Sequence, residues 1–196
     1  YFCNMLTQGI SILTIIILAF IVFDFVLEYI LDSMNAKTWD LPIPQELAGI
    51  YDDEKYAKAR NYHKAKEQLS SIATILSIVI IIVFLWLKGF AMVHIYISSI
   101  TQSPILQALM FFGAFSIASD IIGLPFELYG IFVIEEKFGF NKMTWKTYVS
   151  DKIKGYLLGA IIGGVLLSLF VWFYTFAGKL FWVYAWILFT AFTLFF

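Results

Sequence analysis

Charge and apolar surface are segregated along this chain, and four acids are the exceptions. Apolar runs at about 6–31, 69–87, 105–134, 155–177 and 180–196 contain no Lys or Arg, and all thirteen basic residues lie between them. A hydrocarbon layer of about 30 Å needs roughly 20 apolar residues of helix to cross it. Each run therefore reads as a membrane span, with the fifth cut short by the end of the sequence. The expected fold is all-α, a polytopic transmembrane bundle of five spans with short helices in the inner loops.

A soluble all-helical protein is the alternative. It would carry about 25% charged residues, whereas this chain has 14%. Ile72–Leu87 has only Thr74 and Ser77 as polar members, so a helix there has no solvated face. The net charge of −1, without a basic stripe outside short loops, gives no basis for nucleic-acid binding. A single Cys3 excludes an internal disulfide and a cysteine zinc cluster.

Eleven basic residues fall in the connections 32–68 and 135–154, against Lys88 and Lys179 in the other two. Basic loops stay on the cytoplasmic side, so the N-terminus is expected outside and the end of the fifth span inside. Within the first basic connection, Asp40-Leu41-Pro42-Ile43-Pro44 should be stiff and extended. Asp52-Asp53-Glu54 should open a helix whose face of Tyr56, Ala59, Tyr62, Ala65 and Leu69 packs before the second span begins. Residues 142–154 read as an interfacial helix. Gly155, Gly159 and Gly163, with Gly164 adjoining, read as a close helix–helix approach.

The four acids are Asp24 and Glu28 in the first run and Asp120 and Glu127 in the third. A carboxylate at mid-bilayer costs about 2.5–3.5 kcal/mol on the most lenient scale, so each should face protein or water. With no Lys or Arg inside a run, they are protonated, line a wet cavity, or find partners elsewhere. Ser116, Asp120, Gly123 and Glu127 share one helical face, and Pro125 should kink it. Glu127 and Glu135 would lie about 12 Å apart and about 80° round at α-helical spacing. This polar wall fits an ion-coupled transporter or channel, or merely interhelical hydrogen bonds. His63 and His94 fall on opposite membrane sides, and no HExxH, GxSxG or phosphate loop occurs, so no metal site or complete active site is expected.

Phe132-Val133-Ile134-Glu135-Glu136-Lys137-Phe138-Gly139-Phe140-Asn141, preceded by Gly123-Leu124-Pro125-Phe126-Glu127-Leu128-Tyr129, resembles the third-helix end of the type-1 CaaX prenyl protease family. Ile43–Leu47 and Tyr56–Tyr62 resemble that family's first inner loop, and Tyr184-Ala185-Trp186 its fifth helix. The resemblance covers essentially all 196 residues, as the N-terminal five-helix membrane domain. It implies a zinc metalloprotease with seven spans around a chamber. Its HExxH helix would follow the fifth span in a cytoplasmic domain, and would therefore lie past residue 196. The implied partners are the bilayer, that zinc domain, and a protein or peptide substrate. No catalytic residue carries over, and the fragment alone should be inactive. Asp120, Glu127, Glu135, Glu136 and Asn141 are the chamber or rim candidates. Glu135 or Glu136 is expected to tie the rim to a basic residue of the zinc domain. Besides the protease, the transporter fragment and a non-enzymatic membrane scaffold remain as alternatives.

Overall fold

The computed structural model describes residues 11–38 and 52–195. The stiff Asp40–Pro44 segment, the Ile43–Leu47 resemblance and Cys3 lie outside the described residues. Those described are mostly helical, with turns and irregular stretches at 87–88, 101–103 and 138–144, and contain no strand. Helix α1 runs Ile12–Thr38, α2 Asp53–Trp86, α3 Gly89–Ile100 and α4 Pro104–Tyr129. A π-helical segment, Gly130–Glu135, extends α4. Then come α5 (Trp145–Leu158), a second π segment (Gly159–Gly163), α6 (Gly164–Ala177), a 3-10 turn and α7 (Phe181–Phe195).

The apolar surface points outward. Ile12, Leu13, Phe20 and Phe23 are each at least 65% exposed, while among the described residues the buried hydrophobic side chains are Ile134 in one unit and Ile97 and Tyr148 in the other. Such a surface is stable only against hydrocarbon. The sequence's first three runs appear within α1, α2 and α4. The fourth and fifth are one continuous apolar stretch from Trp145 to Ala191, but it is not straight. The Phe170 and Phe181 rings lie 5.4 Å apart, although eleven residues of straight helix would separate them by about 16 Å. The chain doubles back at Gly178, whose φ of 53° is readily adopted by glycine.

Two compact units divide the chain. The first comprises residues up to 91 together with 121–142, and the second comprises 92–120 together with 143–196. In the first, Asp52 caps α2, its carboxylate accepting from the Glu54 N–H at 3.0 Å. Lys88, at φ 56°, turns the chain directly into α3. A Cβ on Gly89 would fall 2.6 Å from the Phe84 ring, so any larger residue there would have to push that ring aside.

Several expectations are corrected here. The outer connection is not a loop: residues 89–100 form α3, whose 12 residues span about 18 Å and fall short of a crossing. The interfacial helix does not end near Lys154. Thr144 caps α5, and with no proline after it the helix continues into the fourth apolar run. Pro125 lies inside α4, which continues through it to Tyr129. The departure from α geometry comes later, at Gly130. Among the described residues no helix lies against Gly155, Gly159 or Gly163, where an added Cβ would meet open space. Gly164 is the glycine of this group with a contact, at van der Waals distance from Leu109.

Candidate functional site

In the first unit, α2 carries Lys58, Tyr62, Lys66 and Leu69 at intervals that share one face. That face meets the C-terminal end of α4, its π-helical extension and the turn at Phe138–Phe140. A Cβ on Gly130 would lie 3.5 Å from Leu69, and Gly130 is buried. Above this contact the Tyr62 ring sits edge-on to both Phe138 (5.6 Å) and Phe140 (4.9 Å). Lys58 lies 5.2 Å from the Phe140 centroid. Lys66 Nζ donates to Glu135 Oε1 at 2.9 Å.

The turn holding those phenylalanines is built by its own backbone. Gly139, at φ 71°, ends the helix in the left-handed conformation. Its N–H donates to the Glu136 carbonyl, and the Phe140 N–H to the Glu135 carbonyl at 2.8 Å. These are the two bonds of a Schellman cap, which needs a residue at ease with positive φ. Asn141 then donates from its side chain to Glu136 Oε2 at 3.0 Å. Glu135, Glu136 and Asn141 thus lie together at this turn. The α-helical angle between Glu127 and Glu135 does not apply, since the i→i+5 bonds of Gly130–Glu135 change the register between them. Glu127 itself is exposed on α4.

In the second unit Asp120 has its own partners. Lys152 Nζ donates to Asp120 Oδ1 at 2.6 Å, and the Tyr156 hydroxyl donates to Oδ2. Tyr148, Lys152 and Tyr156 recur every four residues on α5, and Lys152 lies 6.0 Å from the buried Tyr148 ring. Asp120 therefore has a cation partner within this chain. The cation comes from a lysine just ahead of the fourth run, because α5 continues into that run. Sequence reasoning missed Lys66, Lys152 and Tyr156. The signal was the four-residue Tyr–Lys–Tyr repeat beside an apolar stretch.

Among the described residues no group of three His, Cys, Asp or Glu is placed to hold a metal ion. They do not fit a zinc site, and no metal-dependent step is assigned to them. His63 instead lies 3.9 Å from Glu67 on the same helix.

Comparison with known proteins decides the family. Residues 32–196 match the family described as CAAX prenyl protease N-terminal, five membrane helices. The chain belongs to the CAAX prenyl protease family. It is 32% identical over 154 residues to CAAX prenyl protease 1 of Saccharomyces cerevisiae, covering 74% of this chain and 34% of that one. The human CAAX prenyl protease 1 homolog is 32% identical over 153 residues, covering 74% and 32%. The crystal structure of S. mikatae Ste24p superposes with a TM-score of 0.82 at 30% identity, over 92% of this chain and 43% of that one. The chain spans about a third of the length of these curated relatives. As a member of this family it is a multi-pass integral membrane protein. The Tyr56–Tyr62 and Phe132–Asn141 stretches that resemble the family in sequence are the two that Tyr62 joins in space. The carrier reading loses its main support, because Asp120 is held by a fixed lysine and tyrosine.

Proposed function

We propose that residues 1–196 are the N-terminal membrane domain of a zinc metalloendopeptidase resembling CAAX prenyl protease 1. In this reading the domain forms part of a helical chamber around an active site that removes C-terminal peptides from prenylated proteins. The zinc ligands and catalytic glutamate belong to a domain following residue 196, which is a partner of this one along with the bilayer and the protein substrate. The observation that supports this is the packing of Tyr62 between Phe138 and Phe140, with Lys66 on Glu135. It fixes the end of α4 against α2 and so gives a rigid seat for a neighbouring domain.

Within that seat the acids divide the work. Glu135 is committed to Lys66, so the link to a basic residue of the zinc domain falls to Glu136, which is exposed and oriented by Asn141. Asp120 and Glu127 belong to the chamber wall. The full-length protein should cleave a prenylated C-terminal peptide and lose that activity to a zinc chelator, while residues 1–196 alone cleave nothing. Cleavage that ignores the chelator, or proteolysis by the isolated domain, would overturn the assignment.

The charge distribution supports an N-terminus outside and a cytoplasmic C-terminal end. Single cysteines at Lys58, Ser99 and Lys146, in a background lacking Cys3, report on this through a membrane-impermeant thiol reagent. From outside intact cells only the Ser99 position should label, and labelling at Lys58 or Lys146 would invert the topology.

A further inference from the structure

The first unit contains a cavity of about 520 Å³ between α2 and the end of α4. Its walls are Leu69, Ile72, Phe126, Val133 and Ile134, and its polar members include Gln68 and Lys137. It straddles a boundary written in the sequence. On α2, charged residues stop at Glu67, and none follows before Lys88. On α4, the run without basic residues ends where Glu135, Glu136 and Lys137 begin. The greasy end of the cavity therefore lies among the apolar segments, and its basic end lies with the charged ones. Pro125 to Lys137 is twelve residues, about 18 Å of helix. Lys137 Nζ is exposed and lies 5.7 Å from the ring of Phe138, which also lines the cavity.

We propose that this cavity holds an anionic phospholipid, its acyl chain against Ile72 and Phe126 and its headgroup phosphate at Lys137, with the Gln68 amide beside it. Charge complementarity selects the occupant. The pole that carries Lys137 belongs to the part of the sequence that concentrates the basic residues, and such segments attract anionic leaflets. An uncharged apolar ligand would gain nothing from the lysine at the mouth. Lys137, Gln68 and Ala65, on which the lipid reading turns, are given no part in cleavage, although Phe138 is shared with the seat proposed above.

The test uses the full-length protein reconstituted in nanodiscs of equal phosphatidylglycerol and phosphatidylcholine. After release into mild detergent, native mass spectrometry weighs the lipid that stays bound. The wild type should retain phosphatidylglycerol about fivefold over phosphatidylcholine, the factor expected for one lysine near a membrane surface. Lys137→Gln should bring that ratio to about one, Lys137→Arg should keep it, and Ala65→Phe should reduce retention of both lipids by narrowing the cavity. Size-exclusion profiles confirm that each variant is folded, and the surface Lys137 pair carries the result should Ala65→Phe fail that check. Equal retention by the wild type, or an unchanged preference in Lys137→Gln, overturns the proposal. So does displacement of both lipids by a prenylated peptide without headgroup preference, which would give the cavity to substrate.

Discussion

Among the described residues, the lysine–carboxylate pairs Lys66–Glu135 and Lys152–Asp120 join distant parts of the sequence, and their surroundings differ more than their geometry. Lys66 reaches Glu135 at 2.9 Å and Lys152 reaches Asp120 at 2.6 Å. Lys66 stands three residues before the apolar part of α2, and its side chain is 42% exposed. Asp120 stands midway along the 32-residue run from Pro104 to Glu135, about 23 Å of helix from either end. Its neighbours Ile117, Ile121 and Ile122 are apolar, so Lys152 and Tyr156 are the groups that offset its charge. An ion pair at the polar end of a helix adds to an aromatic contact that would form without it. At mid-span, the same chemistry decides whether the acid can be ionised at all.

Breaking the mid-span pair should have the largest effect. Lys152→Met leaves the Asp120 carboxylate without its cation in an apolar setting, and the apparent melting temperature of the full-length protein should fall by roughly 5 °C. Lys152→Met with Asp120→Asn should recover most of that loss, because the stranded charge is gone. If the single variant melts like the wild type, position in the membrane does not distinguish the two pairs.

Removing the aromatic anchor comes next. Tyr62→Ala deletes two edge-on ring contacts, each contributing about 0.5–1.5 kcal/mol beyond area burial. It also loosens the seat that Phe138 and Phe140 provide. Thermal stability should fall by less than in Lys152→Met, and cleavage by the full-length enzyme should fall while bound zinc persists. Lys66→Met should cost less again, about 1 kcal/mol or under, since that pair is partly screened by water. A Lys66→Met defect larger than that of Tyr62→Ala would make the charge, not the rings, the organising contact.

The same contrast explains what the sequence made legible. Span positions follow from hydropathy, because the bilayer demands continuous apolar helix, and α1, α2 and α4 lie where the runs predict. The face Tyr56–Leu69 packs as its spacing implies, with Tyr62 and Leu69 meeting the end of α4. The α3 helix was not legible, because twelve residues interrupted by His94, Ser98 and Ser99 are too short and too mixed to read as a span. Nor were the partners of Asp120: the Tyr148–Lys152–Tyr156 repeat marks a polar stripe, but which acid it meets, 32 residues away, depends on how α4 and α5 lie. Gly139 marks in the sequence the point where the chain leaves the helix, and its left-handed cap bears this out. The π segment before it has no comparable mark in the sequence.

The smallest expected effect is at Glu136, and it separates stability from activity. Its carboxylate is exposed and holds Asn141 five residues on, a contact of the kind that contributes about 0–1 kcal/mol at a surface. Glu136→Gln keeps the shape and an acceptor oxygen, so folding, melting temperature and zinc content of the full-length protein should stay within error of wild type. If Glu136 grips a basic residue of the zinc domain, cleavage should fall several-fold, mainly in kcat, because the catalytic helix is held less well over the chamber. Glu135→Gln should instead lower stability and leave kcat largely intact, as its partner is Lys66 within the same unit. Wild-type cleavage in Glu136→Gln would mean that the acid merely offsets nearby lysines. Loss of kcat in Glu135→Gln alone would move the link to the acid already paired with Lys66, and the division between internal anchor and external grip would fail.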